Sequence, residues 1–296
     1  MDLDQELIIR HLLRKDVRAF KACFESSKIE TRGECLFVND RHVSVAYFHA
    51  TWSPSQFQSE KDWSNRELIE RSSAVKVPTV ASQLVGTKKV QEALSHRETL
   101  IRFLKLLKLD PASSIKQHAD EYAEEILQFV RSDSALKKYK DSLRTMPLID
   151  RLLGTTVHQI DPHHSDSRDV VRKAMNCSED WVLKPQREGG GNNLFGKELR
   201  EALGSISTAK EYYTLMRMIK SKPRGPRDYV FKSGAQQRDS GISELGIFTT
   251  LFVDQDDDDE KNSIGGVFCR TKLPVCLEGG VCSGNGFLDV PYSNSF

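Results

Sequence analysis

The residues most able to do chemistry lie between Trp181 and Gly196, in the string WVLKPQREGGGNNLFG. Lys184 is a point charge suited to phosphate. Glu188 is a hard oxygen donor of the kind Mg²⁺ accepts. Gly189, Gly190 and Gly191 lack Cβ atoms, so their N–H groups can approach an anion closely, and Asn192 and Asn193 add polar side chains. One loop thus gathers a cation, a carboxylate and exposed amides, the set a nucleotide phosphate and its metal require. The string is neither GxxxxGK[ST] nor GxGxxG, and three glycines alone also describe a flexible turn.

Two further places carry paired charges. Arg270 and Lys272 stand two residues apart, so on a strand they share a face. Arginine suits a carboxylate bidentately and lysine suits phosphate. A second glycine-rich stretch, Glu278 to Phe287 (EGGVCSGNGF), follows them. Glu244 is the one charge among Ile242, Leu245, Ile247 and Phe248, a setting that asks for a partner, a metal or a ligand. In Ser82 to Leu94, Gly86 and Thr87 precede Lys88 and Lys89 at a helix start; two solvated lysines are the plain alternative.

These residues need elements to hold them. Trp181 to Leu183 reads as a short strand before the glycine loop, with a helix resuming after Gly196. Residues 4 to 22 read as an amphipathic helix. Leu36–Val38 and Val43–Phe48 read as a hairpin about Asn39-Asp40, and His49 to Ser53 follows the second strand. Residues 63 to 76 read as a helix stopped by Pro78. Residues 95 to 150 suggest amphipathic helices without assignable chemistry. Asp161 to Arg168 reads as a polar loop that leaves His163 and His164 exposed, because adjacent histidines do not share a helix face. Tyr212 to Ile219 reads as a strand, and Gly241 to Val253 as a strand pair. The run DQDDDDE (254–260) lacks calcium-loop spacing and reads as a solvated hairpin loop.

Across its 296 residues the chain balances 43 basic against 42 acidic side chains, which argues against nucleic acid or an anionic membrane as partner. No apolar run is long enough to span a bilayer. The six cysteines show no CxxC and no zinc spacing, so reduced thiols and a cytoplasmic location are the expectation.

The string KPQREGGGNN resembles the ATP loop of eukaryotic-type glutathione synthetase, an ATP-grasp ligase. ERSxAxKxP, QLxGTKKVQ, ISELGIF and RTK resemble the same family at their own positions. The resemblance covers about Asp2 to Tyr292 and corresponds to the C-terminal part of the family's chain. It implies an α/β fold with two parts: a small parallel-sheet substrate-binding domain (1–92), and an antiparallel-sheet ATP-binding part with glycine-rich lid loops (93–296). A helical insertion at about 120–147 interrupts the second part.

The family's reaction is the Mg²⁺- and ATP-dependent joining of glycine to γ-glutamylcysteine through an acyl phosphate, by a cytoplasmic homodimer. Carried onto this chain, the resemblance assigns Arg270 and Lys272 to catalysis and Glu188 to the metal. ATP would be held by Lys88, by Lys184, Pro185, Gln186, Arg187 and Glu188, and by Gly189, Gly190, Gly191, Asn192 and Asn193. Phe195, then Met216, Arg217, Met218 and Ile219 at the adenine, and Glu244, Lys272 and Glu278 complete that set. Substrate would meet Gln5, His49, Trp52, Arg270, Val281 and Cys282.

The chain departs from the family in places. His49 and Trp52 stand where the family has Arg and Tyr, Phe195 replaces a tyrosine, and Met-Arg-Met-Ile replaces Met-Glu-Lys-Ile. The family's N-terminal portion also carries a glutamate and an asparagine that bind Mg²⁺. The alternative expectation is therefore a diverged or truncated paralogue that ligates another acceptor or is inactive.

Overall fold

A computed structural model describes residues 3–51, 53–110, 112, 147–154, 159–187, 191–230, 234–252, 261–281, 284 and 286–289. The chain divides into two compact units, Met1–Gln91 and Glu92–Phe296.

In the first unit, helix α1 (Leu3–Leu13) buries none of its residues. It is shorter than the helix expected to residue 22. Its last turn closes on Lys15 and Asp16, and Asp16 takes φ 58°, which ends the helical path. Strands β1 (Ile29–Arg32), β2 (Cys35–Val38) and β3 (Arg41–Val43) form an antiparallel sheet in that order. Asn39 (φ 50°) and Asp40 (φ 61°) make the two-residue turn between β2 and β3, the left-handed pair that matches strand twist. The second arm of this hairpin breaks at Ser44. Strand β4 (Val45–Tyr47) leaves the hairpin to pair in parallel with β5 (Val75–Val77).

Residues 75 to 77 are therefore strand rather than the end of a helix. Helix α2 (Glu60–Arg71) starts at a capping box between Ser59 and Asp62 and stops at Ser72. Leu36, Val38, Phe48, Ile69 and Ala74 form the core of this unit. Helices α3 (Val80–Val85) and α4 (Lys88–Leu94) follow, separated by Gly86.

In the second unit, α5 (Arg97–Leu106) packs Leu100 and Leu104 against Ile149 of α6 (Leu148–Gly154). The expected insertion at 120–147 lies outside the described residues but for Pro147. Strand β6 (Gln159–Ile160), helix α7 (Arg168–Asn176), β7 (Trp181–Pro185), helix α8 (Gly196–Gly204) and β8 (Tyr213–Arg217) build an antiparallel sheet in the order β6-β8-β7 with two helices. Its core is Ile160, Ala174, Trp181, Leu183, Leu199, Leu203 and Leu215.

Strands β9 (Arg224–Val230), β10 (Gln236–Phe252), β11 (Lys261–Lys272) and β12 (Phe287–Asp289) form a second antiparallel sheet, ordered β12-β11-β10-β9. The strand pair expected at 241–253 is one long strand: β10 pairs with β9 over Gln236–Gly241 and then, without a break, with β11 over Ile242–Phe252. The acidic run 254–260 lies outside the described residues, between partners Phe252 and Lys261.

Candidate functional site

The glycine loop is anchored by β7, whose Trp181, Val182 and Leu183 are buried. Leu194 returns to Leu183 through two backbone hydrogen bonds of 2.9 and 3.0 Å. This clamp closes the loop at its base. Lys184 is half-buried beside Pro185, at the point where β7 ends. The Gln186 side chain donates to Thr214 Oγ1 at 3.1 Å. Arg187 is gripped by both carboxylate oxygens of Glu211, at 2.5 and 3.1 Å. Gly191 takes φ +84°, a left-handed conformation that suits glycine. Asn192 and Asn193 follow it, half-buried, and Phe195 immediately precedes α8. Pro185, Arg187, Gly191, Asn192, Asn193 and Tyr213 help line a concavity of about 310 Å³. Glu188, Gly189 and Gly190 lie outside the described residues.

Glu278, from the second glycine-rich stretch, reaches this loop. Its carboxylate accepts from the Gly191 N–H at 2.6 Å and from the Asn193 side-chain amide. An anion therefore sits on the exposed amide of the glycine loop. The loop's own chemistry, an outward N–H next to a side-chain donor, is what draws it there. Val281 lies three residues further on, half-buried, and Cys282 is outside the described residues.

The cations of β11 face a carboxylate. Register places Glu244 directly opposite Arg270, and the two form an ion pair. Glu244 is 66 % exposed in its side chain, so the buried setting expected from its neighbours is replaced by an open sheet face with a cross-strand partner. Lys272 lies on the same face, opposite Ile242, and donates to the Leu277 carbonyl at 2.7 Å. This bond ties the second glycine stretch back to β11.

At the segment assigned to adenine, Met216 is held in the centre of the β6-β8-β7 sheet. The Met218 N–H donates to the Asp180 carbonyl at 2.9 Å. Arg217 turns aside, its guanidinium 4.6 Å from the Trp181 ring and 3.6 Å from the Asp180 carboxylate. Lys220 lies 2.6 Å from the same carboxylate and, as a hydrogen-bond donor to it, holds Asp180 below the usual aspartate range. Ile219 is 66 % exposed.

His163 is corrected from an exposed loop residue to a structural one. It is half-buried, and its Nε2 accepts from the Tyr213 N–H at 3.1 Å, which fixes that nitrogen as the unprotonated one. Its ring packs against Tyr212 at 5.0 Å. Burial raises Tyr213's phenol above its usual value, and the neighbouring Glu211 adds to this.

The first unit carries its own constellation. His49, just past β4, is 2.6 Å from Asp4 through Nε2 and 3.0 Å from the Gln5 side chain through Nδ1. The hydrogen bond to His49 holds the Asp4 carboxyl below the ordinary range. Lys88 opens α4, half-buried, and donates to Gln91 at 3.3 Å. Trp52 lies outside the described residues.

Glu211, Asp4 and the His163–Tyr213 bond escaped the sequence reading, because their partners stand 24, 45 and 50 residues away. For Asp4 the one local signal is its place beside Gln5. No group of three or more His, Cys, Asp or Glu among the described residues would hold a metal.

Two antiparallel sheets, with one glycine-rich stretch after β7 and another between β11 and β12, define an α/β protein. The sequence profile described as "Eukaryotic glutathione synthase, ATP binding domain" matches residues 11–292. The chain belongs to that family. It is 31 % identical over 295 residues to the glutathione synthetase of Xenopus laevis, covering 98 % of this chain and 54 % of the relative. The glutathione synthetase of Dictyostelium discoideum is 30 % identical over 293 residues, covering 98 % and 53 %. The chain thus spans about half the length of these curated relatives. Among solved structures, the apo form of a glutathione synthetase-like effector from Globodera pallida has the same fold, with a TM-score of 0.54 and 14 % identity, covering 97 % of this chain and 52 % of that one.

Proposed function

We propose that this chain performs the ATP-dependent step of a glutathione synthetase-type ligase, joining glycine to γ-glutamylcysteine. The observation that carries the reading is the Glu278 bridge: a carboxylate already occupies the donors of Gly191 and Asn193, so the glycine loop is built to receive an anion. The γ-phosphoryl group of ATP passes to the cysteinyl carboxylate, ADP leaves, and the glycine amine attacks the acyl carbon. An amide forms, the acyl C–O bond breaks and phosphate departs. No protein nucleophile is needed, so the protein's part is positioning and electrostatic stabilisation.

Lys184, the loop amides and Lys272 serve the phosphates. Arg270, released from Glu244, orients substrate and balances developing charge. Gln5 and His49 meet the γ-glutamyl substrate. Glu188 would hold Mg²⁺, which supplies charge neutralisation between the phosphates. The described residues contain no helix long and apolar enough to cross a membrane. A cytosolic homodimer is the setting we assign to the reaction, in keeping with the unpaired cysteines among the described residues.

The test is ADP release by the purified chain with Mg-ATP, γ-glutamylcysteine and glycine, beside a Glu188→Ala control. ADP that requires both co-substrates and disappears in the control supports the reading. A folded protein that binds ATP yet releases no ADP under these conditions overturns it.

A further inference from the structure

Strand β11 changes character from one residue to the next where it carries the site. Arg270 and Lys272 lie half-buried on one face, while Cys269, Thr271 and Leu273 are buried on the other. Thr271 therefore stands between the two cations with its side chain turned away from them. It is 1 % exposed, and side chains from the other three strands of the sheet converge on its hydroxyl. From β12, Asp289 accepts from Thr271 Oγ1 at 2.8 Å. From β9, the Arg224 guanidinium donates to the same oxygen at 3.1 Å and forms an ion pair with Asp289. From β10, Ser243, directly opposite in register, brings its hydroxyl to 2.7 Å. A hydroxyl has one proton to give and two lone pairs to accept with. With its own proton on Asp289, Thr271 accepts from Arg224 and from Ser243, and its capacity is filled. Gly241 completes the fit: a Cβ there would stand 2.7 Å from Thr271 Cγ2, so the threonine methyl lies against the bare backbone of β10.

We infer that Thr271, Arg224 and Asp289 are positioning residues that fix where Arg270 and Lys272 stand. The backbone of Thr271 is shared by both neighbours, so a shift there carries both cations with it. Backbone pairing alone holds this edge lightly, because β12 meets β11 at only Cys269, Arg270 and Thr271. The Arg224–Asp289 pair runs from one outer strand of the sheet to the other, and the Thr271 hydroxyl is bonded to both ends of it. Removing one partner of a half-buried ion pair leaves the other charge uncompensated, so the pair stays closed and holds Thr271 with it. Lys272 passes the constraint on, since its Nζ donates to the Leu277 carbonyl at 2.7 Å and so sets the start of the second glycine stretch. Phosphoryl transfer tolerates little error: a displacement of about 1 Å caused far from the chemistry can cost roughly a hundredfold in rate. The inference deepens the ligase reading and rests on it for the rate alone; the placement of Lys272 is read without turnover.

The first readout is the rate at which acetic anhydride acetylates Lys272 in the full chain, followed by mass spectrometry, with Lys220 beside Asp180 as internal reference. Thr271→Val keeps the shape and the methyl but deletes the hydroxyl, and should quicken Lys272 labelling about threefold or more relative to Lys220. Asp289→Asn should do the same by removing the ion pair, while Thr271→Ser, which restores the hydroxyl, should label as the unsubstituted chain does. Unchanged Lys272 labelling in both Thr271→Val and Asp289→Asn, or equal quickening in Thr271→Ser, overturns the inference. Should Thr271→Val quicken Lys220 as well, the fold has given way. Ser243→Ala, which removes one donor only, then decides by the same criterion. The second readout is ADP release with Mg-ATP, γ-glutamylcysteine and glycine. There Thr271→Val should lower kcat about tenfold or more while KM for ATP moves less than threefold, with kcat recovered in Thr271→Ser. An active chain whose kcat is the same in Thr271→Val overturns the positioning role and leaves the ligase reading. An unsubstituted chain that releases no ADP removes the ligase reading, and the labelling of Lys272 then decides the placement by itself.

Discussion

The two sheets of the second unit solve different problems. The β6-β8-β7 sheet is packed: Leu183, Leu199 and Leu215 have no exposed surface, and two helices cover one side. The β9–β12 sheet rests on a small cluster of Tyr229, Leu273 and Phe287. Past Leu245 its two long strands form a ribbon in which Ile247, Phe248, Leu251 and Phe252 are exposed. A two-stranded ribbon is marginal by itself, while a sheet with a buried face holds its loops in place. The first sheet therefore supplies a fixed platform for the glycine loop. The second holds Arg270 and Lys272 at the root of its ribbon, where β12 still pairs with β11.

The sharpest way to break this contrast is to remove core from each sheet. Leu183→Ala or Leu215→Ala should cost roughly 2–5 kcal/mol in urea unfolding, whereas Leu251→Ala on the ribbon should stay within about 0.5 kcal/mol. Equal losses would mean that the ribbon is as well packed as the platform. Gly241→Ala probes the ribbon's root. There an added Cβ would stand 2.1 Å from Tyr229 Oη and 2.7 Å from Thr271 Cγ2, so a loss of about 1–3 kcal/mol is expected. No loss would show that the root is loose as well.

The link between the sheets comes next in size. Glu278→Ala deletes a charge-assisted bond to the Gly191 amide, and hydrogen exchange at that amide should quicken about tenfold or more. An unchanged rate would mean that the glycine loop is held by its Leu183–Leu194 clamp alone.

The smallest effect belongs to the first unit, where Asp4 is tuned by one exposed neighbour. Its carboxyl should titrate by NMR below 3.8 and move up in His49→Ala. A depressed carboxylate contributes stability above its ordinary range, and that contribution is lost only as pH falls through the lowered value. A midpoint at or above 3.8 in the intact chain would remove the Asp4–His49 bond from solution.

Local signals carried some of this architecture. The apolar run Trp181–Leu183, bounded by the glycine loop, marked β7. Asn39-Asp40 marked a turn because those side chains tolerate left-handed φ. The i, i+2 spacing of Arg270 and Lys272 put both on one face once β11 formed. Other features had no local trace. Val75 and Lys76 looked helical by continuation from α2, and β4 makes Val75–Val77 a strand, through parallel pairing across 30 residues. The length of β10 depended on two successive partners, β9 and then β11. Glu244 looked buried from its apolar neighbours, but the sheet face it shares with Arg270 is open and its side chain stays exposed.

The sequence by itself determined the residue chemistry and the family. A lysine, a carboxylate and three glycines in one string need no distant partner to be recognised, and the profile match, over residues 11–292, includes that string. Only the tertiary structure decided which charges meet. Glu244 stands against Arg270 because an antiparallel register pairs positions 26 residues apart. Glu278 stands on Gly191 because a loop 87 residues downstream folds back over it. Spacing along a chain sets which side chains share a face, and strand register sets which faces, and which charges, come together.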